Sequence, residues 1–143
     1  MPKLPLPHEL VEFLAKPQPA VIATLEPDGT PHTAATWYAW DDGRVLVNMA
    51  ASRKRLDHLR RDGRVSLTVT DAEDWYRHVT LRGRVAAIED DEGLEGIDRL
   101  SRRYTSREYA ARHEPRVNAW IVPERWHAWV HGRPWRPEAT GTP

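Results

Sequence analysis

The residues Ala20-Val-Ile-Ala-Thr-Leu25 form a compact apolar run, and Glu26-Pro-Asp-Gly-Thr-Pro31 follows it directly. Within the second stretch, Asp28-Gly29 is the strongest short hairpin signal in the chain, because an Asp-Gly pair suits the backbone angles of a tight turn. The return strand is expected from His32 to Trp40. These residues predict an antiparallel hairpin at the start of a sheet.

A second tight turn is predicted at Asp42-Gly43, immediately before another strand pattern. The long strand expected later in the chain contains Gly83, and a glycine inside a strand often marks a bulge or a sharp bend. The further strands are expected at Arg44 to Met49, Arg64 to Val69, His78 to Ile88, Val117 to Val122 and Trp126 to Val130.

Three amphipathic segments interrupt these strands and predict helices. The first follows Pro7 and stops at Lys16-Pro17, and the second runs from Ser52 to Arg61 with Ser52 as its cap. The third follows Asp90-Asp91-Glu92, whose negative charge suits a helix start. Many short strands with turn signals favour a barrel over an open sheet. The sequence therefore predicts a mainly β protein with α, an antiparallel barrel of six to seven strands with flanking helices.

The composition limits the function classes. The 143 residues include 21 Lys and Arg, 21 Asp and Glu, and no cysteine. A chain without net charge has no field that would attract nucleic acid or an anionic membrane, and no partner of either kind is expected. The seven histidines lack metal-site spacing, so no metal is expected. No signal peptide or spanning segment is evident, so a cytoplasmic location is expected. Residues 1–135 predict one domain, and 136–143 a flexible tail.

Several short motifs, in order, give the chain a family resemblance. The motifs are Ala23-Thr-Leu-Glu-Pro-Asp-Gly-Thr-Pro-His32, Trp37-Tyr38, Val47-Asn48, Ser52-Arg-Lys-Arg55, Leu59-Arg-Arg-Asp-Gly-Arg-Val-Ser-Leu67, Gly83-Arg-Val85, Asp98-Arg-Leu100 and Arg103-Tyr104. Through them the chain resembles the pyridoxamine-phosphate-oxidase-like superfamily, and within it the small deazaflavin-dependent oxidoreductases. The resemblance implies an FMN-binding split β-barrel, a homodimer, and coenzyme F420 as the cofactor that exchanges hydride with a small organic substrate, with FMN as the alternative.

The phosphate of the cofactor is assigned to a strand-to-helix junction. Ser52, Arg53, Lys54 and Arg55 open a helix after a strand, so helix N–H groups and cationic side chains can converge on one phosphate. In similar proteins this junction holds the cofactor phosphate. Two alignments place the lysine of the family on Lys54 or on Arg55, so the cations are named jointly. The alternative is a solvated basic helix face.

The cofactor ring is assigned by the same resemblance to the strand after the first hairpin and to the end of the strand that precedes the junction. Small side chains there would let a planar ring approach the backbone. The alternative is an ordinary strand. Trp75 is expected to reach the cofactor pocket of a partner subunit, although most of the seven tryptophans are expected to fill core and interface. The ring-binding candidates are Thr33, Ala34, Thr36, Trp37, Asn48 and Met49.

No catalytic residue is assigned from the sequence. Proton delivery is open between solvent, Tyr38 and His32. The chain lacks the motifs of serine hydrolases, Rossmann dehydrogenases and P-loop proteins, whereas a cofactor enzyme needs no such motif. An FMN-dependent pyridoxamine-phosphate-oxidase-like oxidoreductase or flavin reductase, and a non-catalytic flavin- or haem-binding protein, remain alternatives. Oxidation of pyridoxamine phosphate itself is disfavoured, because Trp129-Val-His-Gly-Arg-Pro-Trp-Arg136 replaces the Arg-Leu-His-x-Arg stretch of that enzyme.

Overall fold

An antiparallel sheet of eight strands with three α-helices forms the domain in the computed structural model, which describes residues 1–135. The tail predicted at 136–143 lies outside those residues. The strands follow the order β2-β1-β5-β6-β7-β4-β3, and β8 pairs with β7. This is the split β-barrel predicted from the sequence. The elements are α1 (His8–Ala15), β1 (Ala20–Leu25), β2 (Pro31–Thr36), β3 (Ala39–Asp41), β4 (Arg44–Ala50), α2 (Lys54–Arg61), β5 (Arg64–Thr70), β6 (His78–Asp90), α3 (Glu95–Thr105), β7 (Arg116–Val130) and β8 (Arg133–Pro134).

The first hairpin has its turn where Asp28-Gly29 predicted it. The amide of Glu26 donates to the carbonyl of Thr30, and the amide of Thr30 donates to the carboxylate of Asp28. The turn between β3 and β4 at Asp42-Gly43 is also confirmed, with positive φ at both residues. Local turn chemistry therefore determines both connections.

The strand predicted from His32 to Trp40 is wrong as a single element, because the chain breaks at Trp37-Tyr38. β2 pairs with β1, whereas β3 pairs with β4 on the far edge of the sheet. The break is fixed by Tyr38, whose ring is fully buried and whose hydroxyl donates to the carbonyls of Leu14 and Lys16, each at 3.0 Å. These contacts come from α1 and the residues after it, and no local pattern reveals them.

The two strands predicted at Val117–Val122 and Trp126–Val130 are one strand, β7. Its Pro123 lies opposite Gly83, at a register shift in β6. Proline has no amide hydrogen for the ladder, so a bulge tolerates it. A Cβ at Gly83 would clash with the carbonyl oxygen of Val122. The predicted bulge at Gly83 is thus confirmed, and it is what allows β7 to continue through the proline.

The helix after β4 begins later than predicted. Arg53 occupies the N-cap position in extended conformation and Lys54 is the first helical residue, so the predicted Ser52 cap is wrong. The amide of Arg53 donates to the carbonyl of Ala50, which keeps the chain turning until Arg53. No side chain caps the first turn of α2. The amides of Lys54 and Arg55 consequently remain available, whereas the amide of Leu56 donates to the carbonyl of Arg53.

The core fills the barrel and continues under α3. Strand β4 is buried on both faces, with Val45 and Val47 in the main cluster and Leu46 packed with Leu100 of α3. The helix α1 covers the main cluster through its apolar face. In the described part of the chain, no helix has both the length and the apolar character to span a membrane.

Candidate functional site

A cleft of about 980 Å³ lies between β2, the end of β4, the start of α2, and α3. Its volume is at the upper end of the range for small-molecule and cofactor sites, which is about 300 to 1,000 Å³. No aspartate or glutamate lies among its described lining residues. The lining consists of Pro17, Pro19, Ala20, His32, Ala34, Ala35, Thr36, Trp37, Asn48, Met49, Ala50, Arg53, Lys54, Arg55, Ala72, Ile97, Leu100, Tyr104, Tyr109 and Arg116.

Most of the site residues named from the sequence meet in this cleft. Thr33 and Ser52 are exposed and do not line it. Trp75 is 69% exposed on the connection between β5 and β6 and also lies outside the cleft of its own chain. The residues brought together are Ala34, Thr36, Trp37, Asn48, Met49, Arg53, Lys54 and Arg55.

One end of the cleft carries four cations, three from the strand-to-helix junction and Arg116 from β7. The Nε of Arg55 is buried and has no hydrogen-bond partner. Burial lowers the pKa of Arg55, and the charges of Arg53 and Arg116 lower it further. Within residues 1–135 none of the four cations forms an ion pair. A buried donor without a partner is costly, and an anion would relieve both the missing bond and the repulsion.

Beside the cations, the cleft has an aromatic wall formed by Trp37, Tyr104 and Tyr109. The rings of Trp37 and Tyr104 are stacked, with centroids 5.4 Å apart and planes 10° apart. Tyr109 meets Trp37 edge to face at 6.1 Å. The hydroxyl of Tyr104 donates to the carbonyl of Gln18 at 2.7 Å, which fixes its ring. The wall therefore offers a rigid, largely apolar surface.

The two side chains considered for proton delivery differ in access. Tyr38 is outside the cleft, and both burial and its bonds to main-chain carbonyls restrain its phenol. Burial raises the pKa of Tyr38 well above its usual value. His32 lines the cleft, and its Nδ1 is buried without a partner. Its ring contacts that of His58 at 5.4 Å. Of the two, only His32 lines the cleft.

Arg116, Tyr104 and Tyr109 line this cleft, but none of them was named as a site residue from the sequence. Tyr104 and Tyr109 occur at the end of α3 and in the segment after it, where no sequence pattern marks a ligand site. In the sequence, Arg116 comes just before the strand predicted to begin at Val117, and it resembles any surface arginine. The pairing of Ala50 with Arg116 across β4 and β7 brings it beside the junction. Such long-range pairing leaves no local signal.

Asn48 lines the cleft, but its amide is engaged inside the protein. Its Nδ2 donates to the carboxylate of Asp91 at 2.9 Å and to Oδ1 of Asn118 at 2.7 Å. Its Oδ1 accepts from Nε of Arg116 at 2.7 Å. Because both hydrogens of Nδ2 are engaged, the side chain of Asn48 could donate to a cofactor only by breaking one of these bonds. Within residues 1–135, no three His, Asp or Glu side chains are grouped so that they could hold a metal ion.

The geometry suits a ligand with an anionic group at one end and a planar body. The cations and the uncapped first turn of α2 can bind an oxyanion, since helix amides and guanidinium groups both donate to it. The small side chains of Ala34, Ala35 and Thr36 leave room along β2 for a flat ring. Flavin-type cofactors with a phosphate have this shape, and the residues present fit such a group.

Several solved structures share the fold of this chain. One solved structure, an F420 reductase, is 26% identical, has a TM-score of 0.77, and is matched over 86% of this chain and 98% of its own. A conserved hypothetical protein from Mycobacterium tuberculosis is 29% identical, with a TM-score of 0.68 and coverage of 90% and 87%. General Stress Protein 26 from Bacillus anthracis str. Sterne shares the fold at 17% identity, with a TM-score of 0.66 and coverage of 90% and 96%.

A protein-family model matches most of the chain. The pyridoxamine 5'-phosphate oxidase model matches residues 6–130, which include all three α-helices and nearly the whole of the sheet. The match covers both ends of the cleft, from β2 to the start of β7. The fold is the flavin-binding oxidoreductase fold of these proteins, and the chain belongs to the pyridoxamine 5'-phosphate oxidase family.

Proposed function

We propose that the protein is an oxidoreductase that binds coenzyme F420 in the cleft and exchanges hydride between it and a small organic molecule. The observation that carries this proposal is the guanidinium of Arg55, which is buried at its Nε without a partner beside two further cations. A protein gains nothing from such a group unless an anion completes it. The cytoplasmic location expected from the sequence belongs to the same proposal.

The phosphate of the cofactor would be held at the junction. Arg55 is a better candidate for the main phosphate ligand than Lys54, because Lys54 is exposed whereas Arg55 is partly buried. Arg53 and the free amides of the first turn of α2 supply additional donors. Two or three charge-assisted bonds to one phosphate would each contribute about 1.5 to 3 kcal/mol.

The remaining residues would orient the ring and keep water away. Ala34 and Thr36 allow close approach to β2, and Trp37 closes the side of the cleft. A bound flavin or deazaflavin supplies the hydride-carrying ring, so the chain itself needs no nucleophile. His32 is the side chain proposed to hold or donate a proton, because it lines the cleft whereas Tyr38 does not.

The preference for F420 over FMN has two supports. One similar structure at 26% identity is an F420 reductase. The junction also carries three cations, and no acid lies among the described lining residues of the cleft, which suits a cofactor with several negative groups. Tighter binding of FMN than of F420 in a titration would favour an FMN-dependent oxidoreductase or flavin reductase. Binding without turnover would favour a non-catalytic flavin or haem carrier.

We also propose that the protein is a homodimer in which Trp75 reaches the cleft of the partner subunit. Trp75 and Tyr76 are 69% and 61% exposed, and their rings contact each other at 4.8 Å. Large exposed aromatic side chains are typical anchors of protein interfaces. Light scattering at micromolar concentration should give twice the chain mass, and a monomer mass would contradict the dimer.

The test of the cofactor site is a double charge reversal, Arg53→Glu with Arg55→Glu. Losing two charge-assisted bonds and adding repulsion should weaken cofactor binding at least about a hundredfold, since about 1.4 kcal/mol is a factor of ten. Fluorescence quenching with F420 and with FMN measures the affinity. A thermal melt should show that the fold is retained.

The matched control is Arg60→Glu with Arg107→Glu. Both arginines are exposed, neither lines the cleft, and the change in net charge is the same. This control should lose little affinity beyond a long-range effect that salt removes. Equal loss in both double variants, or no loss in the first, would mean that the junction does not bind the phosphate.

A further inference from the structure

Arg116 is a cleft cation whose direction is fixed by the protein. Its Nε donates to Oδ1 of Asn48 at 2.7 Å. Among the described residues, its two terminal nitrogens have no hydrogen-bond or ion-pair partner. The guanidinium carbon lies 4.8 Å from the ring centroid of Tyr109, one of the aromatic wall residues. Arg116 therefore stands where the cationic end of the cleft meets the aromatic wall.

A chain of buried polar groups determines how Asn48 faces Arg116. The amide nitrogen of Asn48 donates to Asp91 and Asn118. A flipped amide would direct its oxygen at the carboxylate of Asp91 and its nitrogen at Nε of Arg116, and both contacts would be repulsive. Only one orientation satisfies the network, and it presents an acceptor to Arg116.

The other end of this chain is anchored in α3. The carboxylate of Asp91 accepts the amides of Gly96 and Ile97 at 2.7 and 2.9 Å. The carboxylate of Asp91 thus accepts hydrogen bonds from the first turn of α3 and from two side-chain amides, and it does not pair with Arg116. A Cβ at Gly96 would collide with the side-chain amide of Asn118, so this contact requires glycine. A fully satisfied buried network of this kind is rigid.

The proposed cofactor phosphate can be bound without Arg116. Three cations and the first turn of α2 already serve the junction. Arg116 differs from them because its guanidinium stacks on Tyr109, which in turn contacts Trp37 at the edge. A ligand bound to its free nitrogens would have its body on the aromatic wall.

We propose that Arg116 binds the carboxylate of a second ligand, an aromatic or other planar apolar carboxylate whose body packs on Trp37 and Tyr109. Asn48 acts as a positioning residue that holds the guanidinium toward that carboxylate. This inference rests on the proposed function only in naming the second ligand as the hydride acceptor. Carboxylate binding itself does not require a cofactor and can be measured without one.

The experiment compares two probes that differ in charge, 2-naphthoate and 2-naphthamide. Calorimetry should show that the wild-type protein, with and without bound FMN, prefers the naphthoate by at least about tenfold, which equals about 1.4 kcal/mol. Arg116→Gln should abolish that preference while leaving naphthamide binding unchanged. Arg107→Gln, at an exposed arginine outside the cleft, should keep the wild-type preference.

Asn48→Ala tests the positioning role. This variant should reduce the preference for naphthoate at least about threefold without lowering the affinity for naphthamide. General damage to the cleft would instead lower the affinity for both probes. Because Asn48 is buried, a melt must accompany this variant. If it does not fold, Arg116→Gln decides the proposal alone.

Two results would overturn the inference. One is equal binding of the two probes by the wild-type protein, or an unchanged preference in Arg116→Gln. The other is a loss of FMN affinity in Arg116→Gln as large as that caused by replacing Arg55, which would assign Arg116 to the phosphate site. Failure of the proposed function looks different, since neither F420 nor FMN would then bind while the naphthoate preference persisted.

Discussion

Arg103 and Arg55 are both partly buried arginines at helix ends, but the hydrogen bonding of their guanidinium groups is opposite. The guanidinium of Arg103 donates to four main-chain carbonyls, those of Leu14, Ala15, Lys16 and Tyr38. Arg55 has a buried Nε without a partner and lies beside two other cations. A saturated arginine stabilises the fold, whereas an unsaturated one costs free energy that a bound anion would recover.

The difference also separates two regions. Hydrogen bonds from Arg103 join the end of α3 to the end of α1, to the residue after it, and to the break between β2 and β3. Each guanidinium nitrogen of Arg103 has an acceptor. Around Arg55, positive charges converge and no acid among the described residues lines the cleft. The first region closes the barrel, and the second is the place where a ligand would add most stability.

The largest expected effect is on the saturated arginine. Arg103→Ala would leave several carbonyl oxygens without their charged donor, so it should lower the free energy of unfolding by about 3 kcal/mol. For a chain of this size, that corresponds to a Tm lower by roughly 10 °C. Thermal melts should show it, with Arg107→Ala as the control that changes stability by less than about 0.5 kcal/mol. A loss no larger than that of the control would contradict the structural role.

A change of opposite sign is expected at the unsaturated arginine. Arg55→Met keeps the aliphatic stem but removes the unpaired donor and its repulsion with Arg53 and Arg116. The ligand-free protein should become more stable by about 1 to 2 kcal/mol, because a buried donor without a partner costs that much. Chemical denaturation measures the change. A loss of stability comparable to that of Arg103→Ala would show that Arg55 is a structural residue.

The smallest expected effect concerns the ion pair of Asp98 and Arg112, in which the arginine is only partly hydrogen-bonded by the protein. Arg112 lowers the pKa of Asp98, with help from the amide of Tyr109. The folded carboxyl binds a proton less readily than the unfolded one, so the pair stabilises fully above about pH 4 and loses its effect as pH falls through the folded pKa. Asp98→Asn should cost about 0.5 to 1 kcal/mol, because Arg112 is exposed.

The pH profile checks that sign. The difference in Tm between the wild-type protein and Asp98→Asn should stay constant from pH 8 to pH 5 and narrow only below about pH 4. A difference that already shrinks between pH 7 and pH 5 would contradict a lowered pKa at Asp98.

Much of the fold was predictable because it depends on local chemistry. The turns at Asp28-Gly29 and Asp42-Gly43 and the bulge at Gly83 each follow from a few adjacent residues. The break at Trp37-Tyr38 was not predictable, because it depends on carbonyls near α1. The continuity of β7 through Pro123 likewise depends on a bulge in another strand.

The candidate site divides in the same way. The junction from Arg53 to Arg55 forms one continuous piece of sequence, so its charges were visible. Arg116 and Tyr109 reach the cleft through sheet pairing and through the segment after α3. Nothing in their neighbours distinguishes them from surface residues. The junction and Trp37 were therefore apparent from the sequence, whereas Arg116, Tyr104 and Tyr109 needed the structure.

The most direct test of the central claim compares each cofactor with the same ring lacking its phosphate. FMN is titrated beside riboflavin, and F420 beside its phosphate-free deazaflavin, into the wild-type protein and Arg55→Met. The wild-type protein should bind the phosphate-bearing member of at least one pair about a hundredfold more tightly, and Arg55→Met should lose at least about tenfold of that ratio. Equal affinity for both members of each pair in the wild-type protein, or an unchanged ratio in Arg55→Met, would contradict a phosphate site at the junction.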